Sequence, residues 1–337
     1  MAEELITLAH GSGGRPMQQL IQEVFLKFFD HPALTALTDA ACLSWPSSYQ
    51  LCFTTDAYVV QPLFFPGGNI GKLAFCGTIN DLAVSGAQPL YLSCAFIIEE
   101  GFSVALLEKI LASMKQMVCQ TGVAVVTGDT KVVERGKLDG LCIATSGVGI
   151  RPASLKLCRE SLRPGDKVIV SGPLGDHEIA ILSARGKFQL ETRLASDCAP
   201  LHSLTERMLK VEPNLRFMRD PTRGGLAAVL NEIVSGLKVG ILIEEKLLPV
   251  RKEVAACCEI LGLDPLLLAS EGRLVAVVPE KTTGQVLTVM KRHPLGRQAR
   301  VVGQVISDQP GRVLMKTLGG STRLVEMPAG VQQPRIC

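Results

Sequence analysis

Four aspartates lie within or beside apolar segments of the chain, where an ionised carboxylate without a partner is costly. They are Asp56, Asp81, Asp129 and Asp220. Oxygen ligands of this kind suit Mg²⁺, and a magnesium ion that carries nucleotide phosphates needs few protein carboxylates. Ordinary structural roles also exist: a strand-end turn for Asp56, the polar face of a helix for Asp81 and a helix N-cap for Asp220. Together the four predict a site for a magnesium–nucleotide complex.

Other polar residues accompany these aspartates. Lys131 ends the segment G-D-T-K, and Arg223 lies in the segment D-P-T-R-G-G, so both are suited to binding phosphate. Asn80 is adjacent to one of the aspartates and could orient a water molecule or a phosphate oxygen. Glu271 lies in S-E-G, directly before an apolar segment.

A glycine-rich segment, H-G-S-G-G-R-P, occupies residues 10–16 and precedes a helical pattern over residues 17–29. Glycine lets backbone N–H groups approach an anion, and the following helix N-terminus adds positive potential. The segment matches neither the P-loop nor the dinucleotide-binding pattern. A plain surface loop is therefore equally consistent with it.

The chain has eleven cysteines, with no C-x-x-C pair and no zinc-type spacing. Most lie in apolar segments, which is typical of buried free thiols. Cys337 differs because it is the last residue and follows P-R-I, where no core is expected to enclose it. The absence of a core pattern in residues 330–337 predicts a mobile arm, which would extend over roughly 25–30 Å. Such an arm could present its thiol to two sites in turn.

Strands and helices are predicted to mix in both halves of the chain. The predicted strands cover residues 51–60, 89–98, 123–127, 138–148, 166–171, 239–243, 273–278 and 299–306. The predicted helices cover residues 71–85, 103–119 (N-cap Ser103), 176–184 (capped by Asp176), 201–210, 224–235, 252–261 and 282–292. This order indicates the α+β (mixed α/β) class.

The turn-rich stretch 151–164 indicates a boundary between two domains. We expect a glycine-rich loop and helix over residues 1–40, an α/β domain over 41–152, an α+β domain over 153–310 and a C-terminal tail over 311–337 that carries Cys337.

Composition limits the function classes. The 337 residues are 47% hydrophobic, enough for two cores, and the net charge of +3 gives little reason to expect a polyanionic partner. One Trp, three Tyr and eleven Phe do not suggest a stacking platform for single-stranded nucleic acid. No apolar run approaches a membrane span, and the N-terminal M-A-E-E lacks the basic region of a signal peptide. We expect a cytoplasmic protein with no nucleic-acid or membrane partner.

The order of these segments resembles a known superfamily. A glycine-rich N-terminus, T-T-D, N-D-L-A-V-S-G-A-Q-P, G-D-T-K and D-P-T-R-G-G resemble the ATP-binding superfamily of aminoimidazole ribonucleotide (AIR) synthetase, also called PurM-like. It includes selenophosphate synthetase, thiamine monophosphate kinase and the [NiFe]-hydrogenase maturation factor HypE. The C-terminal P-R-I-C resembles the HypE family in particular. One difference is S-E-G at residues 270–272, where the family commonly has N-E-G, which affects a local hydrogen bond.

The resemblance implies a two-domain PurM-like fold with a flexible C-terminal tail, and ATP and Mg²⁺ as cofactors. It implies an ATP-dependent carbamoyl dehydratase that converts an S-carbamoyl group on the terminal cysteine to a thiocyanate, the source of the cyanide ligands of the hydrogenase iron. The implied partners are a HypF-like carbamoyltransferase, the iron-carrying HypC–HypD complex and a second copy of the chain, as a homodimer.

The resemblance also assigns roles to residues. The implied catalytic residues are Cys337, Lys131 and Glu271, and the implied metal ligands are Asp56, Asp81, Asp129 and Asp220. The implied nucleotide-binding residues are His10, Gly11, Gly13, Gly14, Asn80, Thr130, Thr222, Arg223 and Gly224. Lys131 and Glu271 match positions proposed for removing the amide protons.

Two other functions remain open on the sequence. One is another ATP-dependent small-molecule kinase or synthetase of the superfamily, and the other is a non-enzymatic thiol carrier. A redox or metal protein is disfavoured by the cysteine spacing.

Overall fold

The computed structural model describes residues 14–20, 22, 41–44, 48–186, 193–330 and 336. His10, Gly11, Gly13 and Cys337 lie outside these residues, as does most of the predicted arm. In the described part of the chain, no helix is long and apolar enough to cross a bilayer.

The first half of the chain forms a five-stranded sheet. Its strands are β1 (Ala41–Ser44), β2 (Tyr49–Tyr58), β5 (Gln88–Glu99), β6 (Ala124–Val133) and β7 (Leu141–Pro152). They lie in the order β1-β2-β7-β5-β6, and every neighbouring pair is antiparallel except β5 with β6. A short hairpin of β3 (Phe64–Phe65) and β4 (Gly68–Asn69) follows β2.

The helices described in this half are α1 (Arg15–Leu20), α2 (Ile70–Val84) and α3 (Val104–Thr121). Helix α2 packs against β2 and β7 on one side and α3 on the other, so its residues are buried almost all round. Asn69 caps it, because its side-chain oxygen accepts the N–H groups of Gly71 and Lys72 at 2.9 and 3.1 Å. Because it is buried almost all round, the apolar α2 forms the centre of the first core.

The second half forms a seven-stranded sheet. Its strands are β8 (Lys167–Val170), β9 (Phe217–Arg219), β10 (Gly240–Glu244), β11 (Val275–Val278), β12 (Arg300–Ile306), β13 (Val313–Lys316) and β14 (Thr322–Leu324). They lie in the order β14-β13-β10-β12-β8-β11-β9. The central β8 and β11 are buried on both faces, as expected for strands with helices on either side.

Five helices of at least nine residues are described in this half. They are α4 (Asp176–Ala184), α5 (His202–Val211), α6 (Gly225–Val234), α7 (Lys252–Leu261) and α8 (Thr283–Lys291). Helix α6 contributes to the core on one face of the sheet, whereas α5 and α8 contribute to the core on the other. Ala83 and Val84, from the end of α2, belong to that second core, so the two halves share buried apolar surface.

The mixed α/β prediction is confirmed, with differences in detail. The strand predicted to end at residue 127 continues to Val133, so G-D-T-K lies inside β6 and not after a strand. Part of the predicted tail is in the second sheet, because β13 pairs with β10 and β14 pairs with β13. Helix α4 begins at Asp176, but its N-cap is Gly175, whose φ of +78° favours glycine. Ser103 is the N-cap of α3 but makes no side-chain capping bond.

Candidate active site

Two of the predicted carboxylates meet where β2 faces α2. Alternate residues of β2 project towards α2, which places Thr54, Asp56 and Tyr58 on one face of the strand. The hydroxyl of Thr54 donates to Oδ2 of Asp81, near the end of α2, at 2.9 Å. The strand thus presents one carboxylate and the helix presents another towards the same pocket.

The second half of the chain completes this pocket. Asp220, Thr222 and Arg223 lie in the loop between β9 and α6, and Glu271 precedes β11. The pocket is lined by Asp56, Ala57, Tyr58, Gly77, Asp81, Asp220, Thr222, Arg223 and Glu271. Six of the residues singled out from the sequence therefore meet in one small pocket between the two halves.

Glu271 is the most deeply buried acid of the pocket. Its side chain is 2% exposed, and Oε1 has no hydrogen-bond partner among the described residues. Burial raises the pKa of Glu271 well above its usual range, and the neighbouring Cys198 and Asp220 raise this pKa further. A buried carboxyl group with one unpaired oxygen is suited to accept a proton or to contact a bound group.

Asn80 fixes the backbone around Glu271. Its amide nitrogen donates to the carbonyl oxygens of Ala199 and Glu271, each at 3.1 Å, and its oxygen accepts the N–H of Leu201 at 2.8 Å. Asn80 is fully buried, so its three hydrogen bonds link α2 to the second half of the chain away from solvent. In this structure Asn80 positions Glu271, and its predicted contact with nucleotide stays a prediction.

Tyr58 is a pocket residue that the sequence analysis missed. Burial raises the pKa of its hydroxyl well above the usual range, with further increases from Asp56 and Asp81. Gly77 permits this position, because a Cβ there would lie 2.1 Å from the Tyr58 hydroxyl oxygen. The pairing of a buried tyrosine with a helix glycine has no local sequence signal, so only the packing of α2 on β2 identifies it.

The G-D-T-K segment does not reach this pocket within one chain. Side chains paired across strands share a face, and one row crosses four strands: Asp56, Thr145, Cys94 and Gly128. Asp129 and Lys131 are one and three positions beyond that row, so they lie on the opposite face of the sheet. Three strand spacings also separate Asp56 from Gly128, roughly 14 Å. Asp129, Thr130 and Lys131 are all exposed.

The glycines of two predicted nucleotide-binding segments lie close together. Gly14 has φ +81°, and a Cβ there would lie 2.0 Å from the carbonyl oxygen of Pro328. Gly224 has φ +79°, and its added Cβ would lie 3.5 Å from Cγ of the same proline. Positive φ favours glycine at both positions, and the close contact with the Pro328 backbone also excludes a side chain at Gly14.

The donor set of the pocket suits a hard cation. Asp56, Asp81 and Asp220 supply carboxylate oxygens, which are the ligands that Mg²⁺ prefers. Among the described residues no three acidic, histidine or cysteine side chains are close enough to hold an ion by themselves. Phosphate oxygens would therefore have to complete the coordination, as is usual for magnesium bound with a nucleotide.

Ile336 packs in an apolar cluster that includes one residue of this pocket. Ile336 is 8% exposed and belongs to the same apolar cluster as Tyr58, Phe65 and Cys198. Its carbonyl oxygen lies 2.8 Å from Nε2 of His177. Ile336 directly precedes Cys337 in the sequence.

Comparison with known proteins agrees with this architecture. Residues 37–151 match the family "AIR synthase related protein, N-terminal domain", and residues 163–316 match "AIR synthase related protein, C-terminal domain". The carbamoyl dehydratase HypE of Rhodobacter capsulatus is 51% identical over 340 residues, which cover 100% of this chain and 99% of the relative.

Two solved structures are also similar over nearly their full length. A chain from a crystal structure of a HypE–HypF complex has a TM-score of 0.86 at 44% identity, with 92% of this chain and 99% of that chain covered. A hydrogenase maturation protein HypE in complex with ATP has a TM-score of 0.82 at 43% identity, with 98% and 100% covered.

The two sheets and the pocket between them therefore define an AIR synthase related protein. Within that class the resemblance seen in the sequence is confirmed, because identity near one half extends over the whole chain. The chain belongs to the carbamoyl dehydratase HypE family.

Proposed function

We propose that this chain uses ATP to dehydrate a carbamoyl group on the sulfur of its own Cys337, giving a thiocyanate that supplies cyanide ligands for a [NiFe]-hydrogenase iron. The observation that carries the proposal is the anchoring of Ile336 in the cluster that contains Tyr58, a residue of the carboxylate pocket. The ATP-bound relative supports ATP as the co-substrate.

The proposed reaction breaks the carbon–oxygen bond of a thiocarbamate. Hydroxide is a poor leaving group, so the carbamoyl oxygen first receives the γ-phosphoryl group of ATP, and phosphate then departs. Loss of both nitrogen-bound protons leaves S–C≡N. In sum, thiocarbamate and ATP give thiocyanate, ADP, phosphate and one proton.

The pocket residues fit the binding of the reactants. Arg223 contributes positive charge for the phosphates, and Asp56, Asp81 and Asp220 would hold Mg²⁺. When bound, magnesium would neutralise charge on the transferred phosphoryl group. Thr222 and the glycines at residues 14 and 224 contribute backbone and hydroxyl contacts to the nucleotide.

Glu271 is proposed to accept a proton from the carbamoyl nitrogen. The raised pKa of Glu271 makes its carboxylate a stronger base than an exposed glutamate. Lys131 is proposed as its partner in this proton transfer.

Because Lys131 and Asp129 face away from the pocket of their own chain, we propose that they act in the pocket of a second copy, in a homodimer. The open face of the first sheet supports such a contact. It carries Phe53 and Tyr91, 42% and 50% exposed, which both pair with Val148 in one apolar row. An exposed apolar patch of this kind is typical of a protein interface.

The remaining proposals concern the surroundings of the enzyme. A HypF-like carbamoyltransferase would load Cys337, in line with the relative solved as a HypE–HypF complex. The HypC–HypD complex would receive the cyano group. We propose a cytoplasmic site of action and a division of the chain at residues 40 and 152. The third boundary, expected at residue 310, moves beyond β14, because β13 and β14 belong to the second sheet.

Mass spectrometry of the C-terminal peptide tests the reaction. The full-length protein is first carbamoylated by the transferase and then given Mg-ATP, and we expect the Cys337 peptide to lose one water only when ATP is present. A Cys337→Ser variant is the control, because it offers no sulfur to load. A carbamoyl group that stays intact while ATP binds would indicate a carrier. No modification of Cys337 by an active transferase would indicate a small-molecule kinase or synthetase.

A further inference from the structure

A series of hydrogen bonds ends at the peptide bond that precedes Cys337. The N–H of Cys198 lies 3.1 Å from the Ser196 hydroxyl oxygen, which lies 2.7 Å from Nδ1 of His177. Nε2 of His177 lies 2.8 Å from the carbonyl oxygen of Ile336. That carbonyl belongs to the peptide bond that joins Ile336 to Cys337.

The direction of each bond follows from what each atom can do. A carbonyl oxygen only accepts, so Nε2 of His177 carries the hydrogen and donates it to Ile336. Burial lowers the pKa of His177, which keeps the ring neutral and leaves Nδ1 as an acceptor. The Ser196 hydroxyl therefore donates to Nδ1 and accepts the N–H of Cys198. Each of these polar groups therefore has a hydrogen-bond partner when Ile336 is in place.

The receptor for Ile336 is built from both halves of the chain. His177 is fully buried in the first turn of α4, and the ring of Phe65 meets it edge-on at 5.6 Å between centroids. The N–H of Ser196 donates to the carbonyl oxygen of Pro66 at 2.8 Å. The Ile336 side chain packs in the cluster that contains Phe65 and Cys198. A buried histidine is thus held rigidly with its one donor directed at the end of the chain.

We propose that His177, oriented by Ser196, is a positioning residue. It fixes the position of Ile336 so that the group on Cys337 enters the pocket beside Tyr58 and Glu271. The inference rests on the proposed function and goes further, because the same contact must break each time Cys337 leaves for another protein. Loss of the contact between His177 and Ile336 therefore has opposite effects on the loading of Cys337 and on the dehydration of the loaded group. Cys337 becomes easier to modify from outside, and the loaded group reacts more slowly inside.

Three variants test this. His177→Leu removes the donor at similar volume, whereas His177→Gln keeps an N–H group near the position of Nε2. Ile336→Ala weakens the same anchoring from the other partner and leaves His177 unchanged, so it keeps the test valid if the leucine variant does not fold. Thermal unfolding of each full-length variant establishes that it is folded.

The first readout is the rate at which iodoacetamide alkylates Cys337, followed in the C-terminal peptide, with the exposed Cys158 as an internal reference. Loss of one hydrogen bond of ordinary strength predicts a rate about three- to tenfold higher for His177→Leu. Ile336→Ala keeps the backbone carbonyl and loses apolar packing instead, so we expect its rate to rise as well. His177→Gln is expected to restore much of the protection. The rate at Cys158 is expected to stay unchanged.

The second readout is dehydration of the carbamoylated protein at saturating Mg-ATP, which we expect to slow by a similar factor with an unchanged KM for ATP. Wild-type alkylation and dehydration rates in both His177→Leu and Ile336→Ala would overturn the inference. A wild-type protein that never dehydrates its carbamoyl group would overturn the proposed function instead, while the alkylation rates would still decide the role of His177.

Discussion

Glu178, in α4, carries a buried carboxyl group. It is 1% exposed, and Oε2 accepts the N–H of Ala269 at 2.7 Å, whereas Oε1 has no partner among the described residues. Burial raises the pKa of Glu178 to about 7, although the Ala269 N–H and the charge of Arg185 oppose the shift. A group in this position makes the stability of the fold depend on pH.

The sign of that dependence follows from proton binding. The folded state holds the Glu178 proton more tightly than the unfolded state, so its contribution to stability is complete below the ordinary pKa of 4.5 and is lost as the pH rises to about 7. We expect the free energy of unfolding of the wild type to fall relative to Glu178→Gln between pH 5 and 8, by on the order of 2–3 kcal/mol at most. Urea unfolding across this range measures the difference, and parallel pH profiles would contradict the assignment.

At the scale of elements, the position of Tyr58 depends on how closely α2 packs against β2. Gly77→Ala would place a methyl group 2.1 Å from the Tyr58 hydroxyl oxygen, so the side chain or the helix must shift. We expect a loss of roughly 1–3 kcal/mol in stability and weaker binding of Mg-ATP, because Asp81 is on the same helix. Calorimetric titration with ATP and chemical unfolding measure the two effects.

A matched control for this prediction is Gly122→Ala at the C-terminal end of α3. Gly122 has positive φ, so the change also strains the backbone, but nothing lies within 4 Å of its added Cβ. The control should lower stability without changing ATP affinity. Equal losses of ATP affinity in both variants would refute the specific link between α2 and the pocket.

Element types were predictable because the apolar segments of this chain are long and periodic, as in α7, whose predicted bounds match the structure. The extent of β6 was not predictable, since its exposed polar residues resemble a turn unless the pairing with β5 is known. Within the site, acids in apolar segments indicated the pocket residues. Tyr58, His177 and Ser196 gave no such signal, because their roles depend on contacts between segments distant in sequence.

At the scale of the whole molecule, the proposed site is incomplete in one chain. The pocket face of the first sheet holds Asp56, whereas Lys131 lies on the open face and at the far edge strand. No rearrangement within an intact sheet moves a side chain from one face to the other, because the alternation along a strand is fixed. A role for Lys131 in the reaction therefore requires a second copy of the chain.

Mixed dimers test this requirement. Lys131→Ala and Glu271→Gln should each abolish dehydration of the carbamoylated protein when prepared alone. If Lys131 of one copy serves the pocket of the other, a mixed dimer has one site with both defects and one intact site. Random exchange of subunits then restores roughly a quarter of the wild-type activity, because half of the dimers are mixed.

The control is a mixture of two differently tagged Glu271→Gln preparations, which exchange subunits without creating an intact site. Pull-down through one tag establishes that exchange has occurred in both mixtures. If Lys131 instead acted with Glu271 of its own chain, each site of a mixed dimer would carry one defect and activity would stay absent. A mixture that exchanges subunits and stays inactive would therefore exclude the shared site.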